Sequence, residues 1–285
     1  MKKELLILIA AVALLLVVIL VLLIIYIDNE TLGITQYNIS DPEIPDGFDG
    51  YRIAQVADLH NTEFGDHNEA LLNLLAECEP DIIVFTGDQA DSRKTDLDVV
   101  VEFAKQALLI APCYLVTGNH EGSIPETSEL NTTLKELGVT VLEDEMVTLH
   151  SAGDTLSLIG VDDPTRKNRF LEIGQQAAMD EALASLCPTA EGYSILLSHR
   201  PEYLELYAKY GVDLVLSGHA HGGQLRIAGQ GIFDPHQGLF PKYDAGLYTM
   251  ENTTLVLSRG LGNSVFPWRI NNPPELVVVE LHSEQ

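Results

Sequence analysis

The stretch Arg52-Ile53-Ala54-Gln55-Val56-Ala57-Asp58-Leu59-His60 opens as a short apolar-rich run and stops at a carboxylate and an imidazole set two residues apart. Residues 52–57 read as a buried strand, and the polar pair after it marks the strand's carboxyl end. The chain then repeats the scheme. Residues 68–78 carry Leu71, Leu74, Leu75 and Cys78 at three- and four-residue spacing, the apolar stripe of a helix lying on a sheet. Strand 81–85, helix 97–109 and strand 113–116 follow, so the first half is βαβαβ and the fold class is α/β. Residues 139–161 give three strand-like runs separated by turn residues. A helix is expected at 171–186 and buried strands at 193–197 and 213–216. After Gly218 the chain is rich in Gly, Pro and aromatics, with strands expected at 254–258 and 275–281. No internal repeat is present.

Five segments concentrate the metal-competent side chains, each just after an expected strand: Ala57-Asp58-Leu59-His60, Gly87-Asp88, Gly118-Asn119-His120-Glu121, Ser198-His199 and Gly218-His219-Ala220-His221. In open α/β sheets, ligands bind beyond the carboxyl ends of strands. Alternation along an extended chain would put Asp58 with His60, and His219 with His221, on one side. A single buried His or Asp near a strand end is more often a hydrogen-bonded structural residue. Five in order reverse that preference, because unpaired buried carboxylates and imidazoles cost several kcal/mol each and a divalent metal offsets the cost.

At these residues the sequence resembles the calcineurin-like metallophosphoesterases, whose ordered signature is D-x-H, G-D, G-N-H-[DE], H and G-H-x-H. The resemblance covers roughly residues 50–282 and is nearest to the membrane-associated bacterial phosphoesterases of the YkuE type. It extends through Asp58-Leu59-His60-Asn61-Thr62-Glu63-Phe64-Gly65, Leu197-Ser198-His199-Arg200-Pro201-Glu202 and Ser258-Arg259-Gly260-Leu261-Gly262-Asn263, with Arg269 beyond. It implies a four-layer α/β/β/α sandwich of two mixed sheets with a dimetal site at one edge. One metal would take Asp58, His60, Asp88 and His221, and the other Asp88, Asn119, His199 and His219, with Asp88 bridging. Carboxylate, imidazole and amide donors without thiolate suit Mn, Fe, Co or Zn, and the family resemblance puts Mn first.

The implied reaction is hydrolysis of a phosphomonoester, phosphodiester or diphosphate by in-line attack of a hydroxide held between the two ions, which lower the pKa of water towards neutrality. His120 matches the family histidine near the leaving group, as a proton donor or as a residue that orients a ligand. Arg200, Arg259 and Arg269 are candidates for gripping phosphate or for pairing with structural carboxylates. Residues 229–248, with His236, Phe240 and Tyr243, either wall the substrate or pack. A non-catalytic metal-dependent binding module on the same fold is the alternative, and it would be expected to have lost His120 or a ligand. A mononuclear zinc peptidase would need H-E-x-x-H, which is absent.

Residues 5–27 run 23 long without a charge, Gly or Pro. As a helix they rise roughly 34 Å, enough to cross a hydrocarbon core of about 30 Å. A cleaved signal peptide has a shorter apolar run and a small-residue cleavage site, so an uncleaved, single-pass membrane anchor is expected. Residues 1–4 flank it, 28–49 read as a Pro- and Gly-containing tether, and 50–285 form the catalytic domain. Lys2 and Lys3 precede the anchor while Asp28 and Glu30 follow it, which places the domain on the extracytoplasmic side of the cell membrane. The expected partners are the membrane and a phosphate-ester substrate, lipid- or envelope-linked. A formal net charge of −26 argues against nucleic acid, whose phosphates need basic patches. Cys78, Cys113 and Cys187 are too few and too scattered for a disulfide framework.

Overall fold

The computed structural model of the protein describes residues 2–167, 172–263 and 266–284. Helix α1 (Lys2–Glu30) contains the whole apolar run and stands exposed along it, Leu6 and Leu14 by 67% and 66%. Apart from the half-buried Ile24 and Ile25 its apolar run is exposed, and it is long and apolar enough to cross a membrane.

In chain order, β1 (Gly33–Asp41), β2 (Arg52–Val56), α2 (Glu69–Glu77), β3 (Ile82–Thr86), α3 (Leu97–Ala107), β4 (Cys113–Val116), α4 (Thr127–Leu137) and β5 (Thr140–Val141) make the first half. Then come β6 (Glu145–Ser151), β7 (Asp154–Gly160), α5 (Glu172–Leu186), β8 (Ser194–Leu197), α6 (Leu204–Lys209) and β9 (Leu214–Ser217). Two small hairpins follow, β10 (Arg226–Ile227) with β11 (Gln230–Gly231) and β12 (Phe233–Asp234) with β13 (Gly238–Leu239). The last strands are β14 (Gly246–Met250), β15 (Thr253–Leu257) and β16 (Glu275–Ser283). The helix expected at 171–186 is α5; its residue 171 lies outside the described residues.

Two six-stranded mixed sheets result. The first runs β1-β16-β2-β3-β4-β5, parallel except where β16 meets β2. The second runs β14-β15-β9-β8-β7-β6, parallel in its centre with an antiparallel pair at each edge. Alternate residues of a strand face opposite ways, and here both faces are covered. In β3, Ile82 and Val84 point between the sheets while Ile83 and Phe85 meet the helices; in β9, Leu214 and Leu216 point inward while Val215 points out. Three cores stack accordingly. The first holds α2, α3 and α4 against one sheet, the second lies between the sheets, and the third holds α5 and α6 against the other. This is the expected α/β/β/α sandwich.

The segment 28–49 is not a free tether. Strand β1 pairs in parallel with β16 over its full length, from Gly33 opposite Glu275 to Asp41 opposite Ser283. Ile39, Ile44 and Phe48 are buried in the core between the sheets. Gly33, Pro42 and Pro45, which suggested a linker, bracket the strand instead of interrupting it. Because β1 is an edge strand, its exposed positions alternate with half-buried ones and its apolar signal is weak.

Candidate metal centre

The metal-competent residues leave the carboxyl ends of five strands: Asp58 and His60 after β2, Asp88 after β3, Asn119 and His120 after β4, His199 after β8, and His219 and His221 after β9. How they reach one side differs from strand alternation. Strands β2 and β9 end at Val56 and Ser217, and Asp58, His60, Asp88, His219 and His221 all adopt the left-handed region, with φ of 53°, 48°, 53°, 79° and 48°. Such conformations cost about 1–3 kcal/mol each and persist only where the surroundings impose them. Here the backbone is pinned: Asp58 N donates to Gly87 O (3.1 Å), His60 N to Asp88 O (3.0 Å), and His219 N to both Asp58 carboxylate oxygens (3.0 Å). Gly118 and Gly218 let the loops close, since a Cβ would sit 2.2 Å from Asp88 Oδ1 at the first and 2.4 Å from Asp58 Oδ2 at the second.

Two adjoining groups able to hold a metal ion are Asp58 with His60 and His221, and Asp88 with His199 and His219; a third, His60 with Asp91 and His120, shares His60 with the first. His60 Nε2 and His221 Nε2 face each other at 3.1 Å, and His221 Nε2 lies 3.5 Å from Asp58 Oδ1. In the second group His199 Nε2 is 3.1 Å from His219 Nδ1. Asp88 Oδ2 reaches both, 3.2 Å from His199 Nε2 and 3.7 Å from His60 Nε2. Asn119 Oδ1 is buried with no hydrogen-bond partner, and so are the Nδ1 atoms of His60 and His221. Buried donor atoms crowded without partners are what a cation would satisfy. The residues present therefore fit divalent metal ions.

Burial holds His60 down at about 3 and, with the Arg200 charge, keeps His219 well below the usual imidazole range. Burial and the neighbouring His60 do the same to His221. These rings are neutral, as metal ligation requires. His199 goes the other way: burial lowers it, but the carboxylates of Asp88, Asp58 and Asp163 together outweigh burial and lift it to about 10. Asp88 itself is held well below the carboxylate range by His199, against the opposing effect of burial. His199 Nδ1 donates to Thr86 O (2.9 Å), which aims Nε2 inward.

His120 lies beside the first group, its ring centroid 4.5 Å from that of His60. Its Nδ1 accepts from Ser92 N (3.0 Å), so in the neutral ring the proton sits on Nε2. The backbone N–H of His120 donates to Asp88 Oδ1 (2.8 Å), tying the ring to the ligand loop.

Several participants were not singled out by sequence reasoning. Glu121 is buried and accepts from the backbone N–H groups of Asp88 (2.9 Å), Gly118 (2.8 Å) and Ala90 (2.8 Å), joining two ligand loops. The acidic fourth position of the G-N-H-[DE] signature was its signal. Asp91 sits 3.6 Å from the Nδ1 atoms of both His60 and His120 and is held by Arg93 at 2.6 Å. The His236 ring stacks obliquely 4.5 Å from that of His219, whereas Tyr243 is buried and Phe240 exposed. Two of the arginines take their structural role, Arg200 on Asp163 (2.6 Å) and Arg259 on Glu275 (2.7 Å). Arg269 is fully buried and donates to the carbonyls of Arg259 and Gly262.

The calcineurin-like phosphoesterase profile matches residues 51–223. The uncharacterized metallophosphoesterase YkuE of Bacillus subtilis is 30% identical over 264 residues, covering 90% of this chain and 88% of its own. A bovine transmembrane protein with a metallophosphoesterase domain is 28% identical, over 88% of this chain and 57% of its own. The phosphodiesterase YaeI of Escherichia coli is 27% identical, over 81% and 82% of the two chains. With its two groups of carboxylate and imidazole donors at the ends of sandwich strands, this chain is a metal-dependent phosphoric ester hydrolase and belongs to the calcineurin-like phosphoesterase family.

Proposed function

We propose that the protein is a membrane-anchored dimetal phosphoesterase acting on a phosphomonoester, phosphodiester or diphosphate that is lipid- or envelope-linked. Asp58, His60 and His221 would hold one ion, Asn119, His199 and His219 the other, and Asp88 would bridge. The observation that carries this reading is Asp88 Oδ2 lying within 3.7 Å of a nitrogen from each group. Two divalent ions, when bound, acidify a water and neutralise charge on phosphoryl oxygens. His120, fixed through Nδ1 by the Ser92 N–H, would turn its Nε2–H towards the leaving oxygen and stabilise the charge that develops there by a hydrogen bond. Glu121 holds the Asp88 and Asn119 loops at a fixed spacing. Mn is the proposed native metal, from the donor set and the family. The exposed α1 and the transmembrane relative support anchoring, and Lys2 and Lys3 support a single pass with the domain outside.

The test is to purify the protein with and without residues 1–27, which spares Asp28 and Asn29, count bound metals, and assay p-nitrophenyl phosphate, bis-p-nitrophenyl phosphate and lipid diphosphates in vesicles. Deletion leaves β1 whole, because it begins at Gly33. The expected result is two ions per chain, an unchanged rate on the small esters and a reduced rate on vesicle substrates, because the anchor raises local concentration without adding a contact. Two bound ions without turnover on any of these esters would favour the non-catalytic binding module.

A further inference from the structure

The end of α1 is not loosely connected to the domain. Asn29 Oδ1 accepts from Asn263 Nδ2 (3.0 Å) and from Arg269 N (3.2 Å), Asn29 Nδ2 donates to Arg269 O (3.2 Å), and Asp28 accepts from Asn271 N. These bonds cross more than 230 residues of sequence and fix the segment Phe266–Asn271 at the level where the apolar helix ends. Within it Phe266 and Trp268 stack edge to face, 6.0 Å apart, and are 47% and 52% exposed. The β10–β11 hairpin joins the same segment through Arg226 N on Ile270 O (3.0 Å) and Asn271 Nδ2 on Arg226 O (3.2 Å), and presents Ile227 at 59% exposure. On α1 itself Tyr26 is 65% exposed. Large apolar side chains left open to water cluster rarely on a soluble face. Tryptophan and tyrosine beside the end of a spanning helix belong to the headgroup level of a bilayer.

We infer that Phe266, Trp268 and Ile227 form a second membrane contact, which seats the domain on the lipid surface in one orientation. This inference rests on the reading of α1 as a membrane anchor. The seated segment is continuous with the metal centre. Leu261 N donates to Ala57 O (3.0 Å), Gly262 N to Asp58 O (2.7 Å), and Asn272 Nδ2 to His221 O (2.7 Å). Seating therefore holds the ligand loops of β2 and β9 beside the headgroups, and the substrate class it favours is a phosphoester carried by a membrane lipid.

Trp268 is the single tryptophan of the chain, so its fluorescence reports this contact alone. The full-length protein, reconstituted in phosphatidylcholine vesicles whose acyl chains carry bromine at one of several depths, should show strong Trp268 quenching by bromine about 5–10 Å below the headgroup boundary and little at the chain ends. Replacing both partners, Phe266→Ser and Ile227→Ser, should weaken that quenching while the metal content stays at the wild-type value. Protein that floats with the vesicles but is unquenched at every depth overturns the second contact and leaves the anchor standing. A blue-shifted but unquenched Trp268 overturns it in favour of a contact between copies. Protein that fails to float removes the anchor and the contact together, without bearing on small-ester turnover.

Discussion

Asp58 and Asp88 are the same residue in nearly the same setting. Each follows a parallel strand of the first sheet, each is buried, and each has a φ of 53°. Their charges are nevertheless driven apart. Burial pushes Asp58 up to about 7, while Asp88, against the same burial, is held far below the ordinary range chiefly because His199 lies 3.2 Å away. Burial alone does not set a carboxylate's ionisation; the nearest potential cation does. The two halves of the centre thus differ before any metal arrives. The Asp88 half is already charge-paired, and the Asp58 half gains most from an incoming ion.

The sharpest way to break this contrast is Asp88→Asn. If Asp88 serves both groups, the variant should lose activity altogether and lose metal from both positions, as read by elemental analysis beside a phosphoesterase assay. Two ions retained with strong turnover would end the bridging assignment and make the halves independent. Next in size is His120→Ala, which should keep both ions and lower kcat by about 10²–10⁴-fold, the usual worth of a positioned acid. The loss should shrink for esters with good leaving groups. Parallel loss of metal and activity would instead place His120 among the ligands or their supports.

Glu121→Gln tests how the halves are held together. Glu121 accepts three backbone N–H bonds with its two oxygens, and a Gln amide offers one oxygen and turns a donor towards the others. We expect about a 10–100-fold loss in metal affinity or activity, the range for residues that orient ligands. Unchanged metal affinity and turnover would make that triple contact dispensable.

The smallest effect is on stability after chelation. Asp58 and Glu121 are both raised to about 7 in the folded chain, chiefly by burial. Their ordinary values are near 4, so the metal-free fold holds more protons than the unfolded chain, and its stability falls as pH rises through about 7. His199, raised to about 10, adds to the loss between its ordinary value of about 6.5 and 10, whereas His60, lowered to about 3, acts in the opposite sense only below about 6.5. Between pH 6.5 and 8 the chelated protein should therefore lose on the order of a few degrees in Tm, while the metal-loaded protein stays flat. A chelated Tm that rises over the same interval would contradict the raised values of Asp58, Glu121 and His199 taken together.

The order of elements was legible because both faces of the central strands are covered, which leaves unbroken apolar runs at 82–85, 195–197 and 214–216. The positions of Asp58, Asp88, Asn119, His199 and His221 were legible because few residue types carry metal donors and these recur after strand ends. Their backbone geometry was not. Five left-handed residues replace the expected alternation, and none is glycine. Strand β1 was hidden because an edge strand needs only one apolar side, and its flanking prolines resemble those of a linker. Asp91 lies in a loop, where contact depends on tertiary placement and no period in the sequence marks it, and for His236 the sequence left wall and packing roles open.

Strand β16 sits inside the first sheet, hydrogen-bonded to β1 on one side and β2 on the other. During synthesis both partners are made more than 200 residues before Glu275, so the sheet waits for almost the whole domain to be translated. Until then β1 and β2 present open edges, and such edges invite pairing with other chains. Long-range closure of this kind is also slow. An N-terminal helix already lodged in the bilayer would hold the unfinished β1 at the lipid surface and away from other nascent chains. A stop before residue 275 would leave a chain that still inserts yet cannot close its sheet.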